Sequence, residues 1–463
     1  MAGNKPHVLA VGVPGLGHLK PLMSLCRQIA KQGIKVTFVN PQTIHDKIVA
    51  AAKLSPEEEG SMVLTSIPDG LKPDDDPNDP FVLFETLPRT MPETLPDLIE
   101  KINSSNPNEK ISCVIADLSF GWVLDIVEMM GVEPVGFTPL SIASFSMILH
   151  IPKLVQQGNL DANGTLKKID LVSLSYDIPA WRKDELPWRI PNDLKSQKII
   201  FECLKSYQAA NKTKWVLWNS CYELEPAASD LHPNFFPVGP LHLRETDTDK
   251  WNSNSINFYA EDASCLSWLD AKPAGSVLYI SFGSLATYSQ QQLDELALGL
   301  ELSGRAFLWV VRVDLANGSR AVYPDGFLER VREFGRVVEW APQTRVLSHP
   351  AIGCFMSHGG WNSTLEGVSR GVPYLCWPYF AEQTHNESYI CDKWKAGLRI
   401  NCDENGMRSR DEIKKKIDLI FSDDKFKKNV SKVKEICAKS INEGGSSYDN
   451  LKALIDHIRK CGK

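Results

Sequence analysis

Along the chain, short runs that are apolar on both faces alternate with longer stretches of helical periodicity. In the first half the runs cover residues 7–13, 34–40, 62–67, 111–117 and 132–138. In the second half they cover 276–283, 306–312, 336–341, 352–358, 373–379 and 396–401. Runs of this length without polar alternation predict strands buried on both sides, and so parallel sheets covered by helices. Two such sets predict an α/β fold of two doubly wound, Rossmann-like domains facing each other across an interdomain cleft.

The remaining pattern sets the boundaries. The stretch from Gly239 to Ala263, with its core RETDTDKWNSNSINF, is polar and aperiodic and predicts a linker. The domains expected are therefore 1–240, a linker at 241–263, a second domain at 264–445, and a C-terminal helix at 446–463 that packs back on the first domain. Helical patterns cover 408–421, 424–439 and 446–459. The segment LKPDDDPNDP at 71–80 predicts a loop.

Composition narrows the partners. The 463 residues are 43 % apolar and 23 % charged, which fits a globular protein and excludes disorder or coiled coil as a global description. Fifty-one Lys+Arg against 57 Asp+Glu give a net charge of −6, with no basic excess for nucleic acid or an anionic membrane. No apolar stretch approaches the ~20 residues of a membrane helix. The eleven cysteines are scattered without C-x-x-C pairs, and Cys113, Cys354 and Cys376 lie inside apolar runs. That pattern, with no secretory leader before HVLAVGV, predicts a reducing, cytoplasmic setting. A monomer is expected.

Chemistry should cluster after the carboxyl ends of the strands, where such sheets bind ligands. The first strand runs into Pro14-Gly15-Leu16-Gly17-His18, with a helix expected from Pro21 onward. The glycine order there is not G-x-G-x-x-G, and the second strand ends in Asn40 rather than an acid, so dinucleotide binding is disfavoured. Asp117 ends the fourth run. It either caps the next helix or pairs with His18 and orients its imidazole, as in a hydrolase triad. No G-x-S-x-G elbow and no Walker A sequence occur. Asp74-Asp75-Asp76 and Asp247-Thr248-Asp249 lie in polar stretches away from strand ends, so no metal is expected.

The densest constellation is at 340–383, WAPQTRVLSHPAIGCFMSHGGWNSTLEGVSRGVPYLCWPYFAEQ. A strand enters Gly359-Gly360 and then a helix near Trp361. Such a turn presents backbone N–H groups and a positive dipole end, which suit a diphosphate. His358, Asn362 and Ser363 add donors. Glu366 lies one turn beyond Asn362 on the same face, where a carboxylate can accept both hydroxyls of a ribose. Trp340 offers a stacking platform for a base. Glu382 and Gln383 offer partners for sugar hydroxyls.

This box resembles the signature of plant secondary-product UDP-glycosyltransferases, the family-1 enzymes of GT-B fold. The likeness runs from Trp340-Ala341-Pro342-Gln343 through His358–Ser363 and Glu366 to Glu382-Gln383, and extends to Gly17-His18, Asp117 and Ser281-Phe282-Gly283-Ser284. It implies a UDP-sugar co-substrate with no metal or other cofactor. By resemblance, Trp340 stacks on the uracil, Gln343 meets the ribose side, and Ala341 belongs to the donor site. Glu366 binds the ribose hydroxyls. His358, Gly360, Asn362, Ser363 and Ser284 hold the diphosphate, and Trp361, Glu382, Gln383 and Thr138 meet the sugar. A final Gln in the box goes with glucose donors, so Gln383 favours UDP-glucose and leaves xylose and glucuronate open.

The expected reaction is inverting transfer of glucose to a hydroxyl of a hydrophobic small molecule: a flavonoid, another phenolic, or a terpenoid or steroid-like alcohol. His18 is the expected general base, since a neutral imidazole suits proton removal at pH 7, and Asp117 its orienting partner. Gly17, Phe81, Phe84, Phe120, Trp122, Met147 and Trp188 are candidates for the acceptor pocket. A C-glycosylating transferase, a catalytically silent UDP-sugar binder and a nucleotide-sugar epimerase are the competing readings.

Overall fold

The structure, a computed structural model, describes residues 5–52, 62–76, 79–190, 193–245 and 261–462. Its contacts divide into two compact units, Met1–Phe258 with Ala438–Lys463, and Tyr259–Cys437. The first unit holds β1 (His7–Val11), β2 (Lys35–Pro41), β3 (Met62–Ile67), β4 (Ile111–Asp117), β5 (Glu133–Thr138), β6 (Leu171–Val172), β7 (Trp181–Arg182), β8 (Trp215–Trp218) and β9 (Phe236–Pro237). The second holds β10 (Val277–Ser281), β11 (Phe307–Val310), β12 (Gly335–Val338), β13 (Ile352–Ser357), β14 (Tyr374–Cys376) and β15 (Gly397–Arg399).

Both large sheets are parallel throughout. Their orders are β3-β2-β1-β4-β5-β8-β9 and β12-β11-β10-β13-β14-β15. β6 and β7 form a separate antiparallel pair. In each large sheet the strand order reverses once, between β1 and β4 and between β10 and β13. Helices leaving the two strands at such a point depart to opposite faces, which opens a crevice at the strands' carboxyl ends. The registers Val11↔Ala116 and Ser281↔Ser357 align the strand ends at both reversals.

Several expected strands are shorter than the apolar runs. β1 stops at Val11, because Gly12 lets the following helix, Leu16–Ala30, close onto the sheet. A Cβ on Gly12 would stand 2.6 Å from Leu19 Cδ2. That helix begins at Leu16 rather than Pro21. Gly15, at φ 150°, makes the turn, and Pro21 falls inside the helix, where it cannot donate back to Gly17. His18 therefore lies in the first helical turn. β12 stops at Val338, three residues before the apolar run ends, and Pro342 caps the next helix. β8 and β9 were not expected. WVLW is at the lower limit of strand length, and β9 is two residues, one of them Pro237.

The segment Leu241–Arg244, expected to begin a linker, is a short helical turn against the helix Leu16–Ala30, with Leu241 buried. Most of that expected linker, 246–260, including Asp247 and Asp249, lies outside the described residues. The C-terminal helix Ser446–Cys461 packs on β4 and β9.

Glu225 shows what the first unit spends on order around its sheet. Its buried carboxylate accepts from the backbone N–H of Ile142 (2.9 Å) and Ala143 (3.0 Å), at the start of the helix Ile142–Leu149, and from Ser220 Oγ. Burial nevertheless pushes its pKa up to about 7. An acid raised in the folded state stabilises fully below its unfolded value and loses that contribution as pH rises through the folded one. The stability of wild type relative to Glu225→Gln should therefore fall between about pH 4.5 and 7, by up to ~3 kcal/mol. Denaturant melts of both proteins across that range measure the difference. A pH-independent difference would refute the raised pKa.

Candidate active site

The first unit's chemistry sits at its reversal point. Asp117 is the last residue of β4 and fully buried. Its Oδ2 lies 2.8 Å from His18 Nδ1, while Oδ1 accepts from the Ser119 backbone N–H at 2.9 Å. The two readings of Asp117, cap and histidine partner, are thus one arrangement with an oxygen for each. The cap fixes the carboxylate, and the carboxylate fixes the ring. With Nδ1 engaged, the basic nitrogen must be Nε2. The His18 side chain is 26 % exposed, so the ring is reachable from solvent while its anchor is not.

Aromatic residues flank this pair. Phe120 follows Asp117 by three residues and packs between Phe84 (centroids 5.7 Å) and Trp122 (5.6 Å). Phe84, Trp122 and Phe81 are half-buried, and Gly17 is exposed beside His18. Phe120, Met147 and Trp188 are all fully buried. Trp188 packs on Phe201 and donates its indole N–H to the Gly164 carbonyl at 2.7 Å, the bonding of a core residue. Thr138, the last residue of β5, is also fully buried, and its hydroxyl accepts from the Leu140 N–H at 3.3 Å.

The second unit's reversal point holds most of the long motif. β13 ends at Ser357, and His358-Gly359-Gly360 turns the chain into the helix Trp361–Val368. Gly359 has φ 81°, a conformation that favours glycine. From the adjoining strand end, Gly283 (φ 72°) closes on the same histidine. A Cβ on Gly283 would lie 2.8 Å from His358 Nε2, and one on Gly360 2.7 Å from it. Two glycines from two loops therefore clasp the imidazole. Burial, then the Arg312 charge, lowers its pKa to about 4, so at pH 7 it is a neutral ring. Ser284, Asn362 and Ser363 are half-buried around this turn.

Gln343 opens the helix Gln343–Ser348 and links three groups. Its amide donates to Glu366 Oε2 (2.6 Å) and Ser363 Oγ (3.2 Å), and its carbonyl accepts from Tyr279 Oη (3.3 Å). Glu366 is 8 % exposed. Trp340 is half-buried just past β12, with Ala341 buried beside it. Glu382 Oε1 accepts from the Trp361 N–H at 3.4 Å, and Gln383 Oε1 accepts from the N–H groups of Tyr379 (2.8 Å) and Phe380 (3.1 Å). Trp361 itself is buried beside Trp394. Between these, Ala381 holds φ 55°, costly for a residue with a Cβ and a mark of functional loops.

A family model described as UDP-glucoronosyl and UDP-glucosyl transferase matches residues 205–439. UDP-glycosyltransferase 83A1 of Arabidopsis thaliana is 40 % identical, covering 98 % of this chain and 97 % of its own. The chain belongs to the UDP-glycosyltransferase family. A 7-deoxyloganetin glucosyltransferase of Gardenia jasminoides is 32 % identical over 97 % of each chain. Among solved structures, Phytolacca americana UGT2 with UDP-2fluoro-glucose and pterostilbene superposes with a TM-score of 0.78 at 26 % identity, covering 99 % of this chain and 100 % of that one. A Polygonum tinctorium UDP-glucosyltransferase capable of glucosylating indoxyl gives 0.79 at 28 % identity, covering 98 % and 99 %. This protein is thus a plant-type glycosyltransferase of GT-B fold that uses a UDP-sugar. Among the described residues no helix is long and apolar enough to cross a membrane.

Two residues that hold the site escaped the sequence reading. Arg312 is 2 % exposed, and its guanidinium donates to the carbonyls of Gly283 and Ala286 (2.9 Å) and to Asp314 (2.9 Å). It sets the loop that carries Ser284. Asn386, fully buried, donates to the Gly359 carbonyl at 2.9 Å and pins the Gly-Gly turn. Asn386 lies one turn beyond Gln383, and that spacing was the available signal. Arg312 closes an apolar run, and nothing local distinguishes it from a helix cap.

Proposed function

We propose that this glycosyltransferase moves glucose from UDP-glucose to a hydroxyl of a hydrophobic small molecule, with inversion at the anomeric carbon and His18 as general base. The observation that carries the reading is the His18–Asp117 pair at the β1/β4 reversal. An alcohol is a poor nucleophile at neutral pH, and Nε2 takes its proton as the C–O bond forms. The buried carboxylate holds the tautomer and stabilises the imidazolium that results.

In the second unit, the bond to the leaving UDP breaks with negative charge gathering on the diphosphate. The N–H groups that open the helix Trp361–Val368, with His358, Asn362, Ser363 and Ser284, answer that charge. His358 stands there as a neutral ring, so its contact does not depend on a proton held at pH 7. Trp340 and Ala341 take the uracil, Gln343 and Glu366 the ribose, and Trp361, Glu382 and Gln383 the sugar. Gln383 also fixes the loop before it, so its amide enters the sugar site with one end already tied. A single in-line displacement turns an α-linked donor into a β-glucoside. We place the acceptor beside His18, against Phe84, Phe120 and Trp122. A flat or polycyclic apolar alcohol suits such a wall. Pterostilbene and indoxyl, named with two neighbours, are of that kind. Thr138, sealed in the sheet, keeps only a supporting place.

Mass spectrometry of reactions with UDP-glucose and a pool of phenolic and terpenoid alcohols tests the reading. Hexose-bearing products that β-glucosidase cleaves are expected. Products resistant to it and to acid would show carbon glycosylation instead. UDP binding without product from any donor would mean a silent binder, and a changed sugar on UDP-glucose alone an epimerase.

A further inference from the structure

At the opposite end of the first sheet, Glu133 opens β5, while His457 and Cys461 lie one turn apart on the C-terminal helix. Glu133 Oε1 is 2.8 Å from His457 Nε2, and Cys461 Sγ is 3.6 Å from the same nitrogen. All three ligand atoms lie within 4.8 Å of one another. We infer that Glu133, His457 and Cys461 form a zinc site, with the fourth position open to water, that fastens the C-terminal helix to the sheet.

The donor set fits the ion. Zinc takes carboxylate oxygen, imidazole nitrogen and thiolate sulfur at about 2.0–2.3 Å in a tetrahedron, which separates ligand atoms by about 3.3–3.7 Å. The sulfur–nitrogen distance already has that value. The oxygen–nitrogen distance must widen by roughly 0.6 Å, within reach of a carboxylate rotation. One carboxylate and one thiolate neutralise a divalent ion. The last turn of a helix is the negative end of its dipole and favours a cation.

The ligands are also held. The His457 ring packs on Trp215, the first residue of β8, at 4.9 Å, and Trp215 stacks on Phe236 at 4.5 Å. Gly462, which follows the helix, lies against Pro6, where a Cβ would come within 2.9 Å, so the last helical turn is seated. Zinc takes thiolate and neutral imidazole, so binding releases the Cys461 thiol proton and leaves the ring proton of His457 on Nδ1. The site is not part of the glucosyl-transfer chemistry. The registers Cys113↔Glu133 and Asp117↔Phe137 put four residues of strand, ~13 Å, between it and Asp117.

Chelator-stripped full-length protein is titrated with cobalt(II) and then zinc. One equivalent of cobalt should give a thiolate-to-cobalt charge-transfer band that zinc abolishes, and zinc should raise the melting temperature. Cys461→Ala should lose the band and the thermal shift. Glu133→Gln and His457→Gln should weaken zinc at least tenfold, and Cys402→Ser, which removes an exposed thiol, should change nothing. No cobalt band in wild type would overturn the site. So would a band that survives Cys461→Ala, or one that Glu133→Gln and His457→Gln leave at wild-type affinity.

Discussion

Replacing His18 by Ala should lower glucosyl transfer by 10²–10⁴-fold while UDP affinity stays within about twofold. The separation follows from where the residues lie. His18 and its anchor belong to the first unit, whereas the groups assigned to the nucleotide all belong to the second. A folding defect would lower both quantities, and loss of the base lowers only one. Asp117→Asn refines the test. It keeps the Ser119 cap through one oxygen but offers an amide to His18 Nδ1, which favours the tautomer with its proton on Nε2. Transfer should fall nearly as far as in His18→Ala, because a protonated Nε2 cannot accept the alcohol's proton. Turnover in His18→Ala within tenfold of wild type would remove His18 from the mechanism. Initial rates with saturating UDP-glucose, beside calorimetry with UDP, supply both numbers.

How far the sequence foretold this site differs between the two units, for physical reasons. Apart from Ser284 and Thr138, the donor residues sit in one stretch of 44, so their spacing alone gathers them at the ends of neighbouring strands. The His18–Asp117 pair spans 99 residues, and no local spacing joins it; the rule that ligands gather at strand ends and the family resemblance suggested it. The reversal points that justify the rule are properties of strand order, which periodicity does not encode. Arg312 acts on backbone carbonyls two loops away, and no local pattern marks such a bond; Asn386 was marked only by its place one turn beyond Gln383. For the acceptor wall, aromatic content was visible but depth was not. Phe84, Phe120 and Trp122 meet beside Asp117, while Trp188 spends its N–H on Gly164 inside the fold. Strand ends moved for a simpler cause. Gly12 and Pro378 lie inside apolar runs yet fall just past the ends of β1 and β14, since hydrophobicity continues through a turn that backbone geometry forbids a strand to follow.

Glu366→Ala should weaken UDP binding by about 1.5–3 kcal/mol, or roughly 10- to 150-fold, if the carboxylate accepts charged hydrogen bonds from the ribose. Its side chain is nearly buried and already accepts from Gln343, which in turn donates to Ser363 and accepts from Tyr279. The carboxylate is therefore oriented before any nucleotide arrives, and little ordering cost offsets the new bonds. The same preorganisation creates an ambiguity, because deleting Glu366 also releases Gln343. A ligand-side deletion resolves it. Wild type should bind 2′-deoxy-UDP more weakly than UDP by much of the factor that Glu366→Ala produces, and the variant should scarcely distinguish the two nucleotides. Non-additivity of that kind arises when mutation and ligand change remove one shared contact. Additive losses in calorimetry would mean that Glu366 acts through Gln343 and the fold of the helix, not through the ribose. Glu366→Gln should fall between: its amide keeps the shape and one acceptor oxygen but gives up the charge, and charge is what separates a bond worth up to ~3 kcal/mol from one nearer 1.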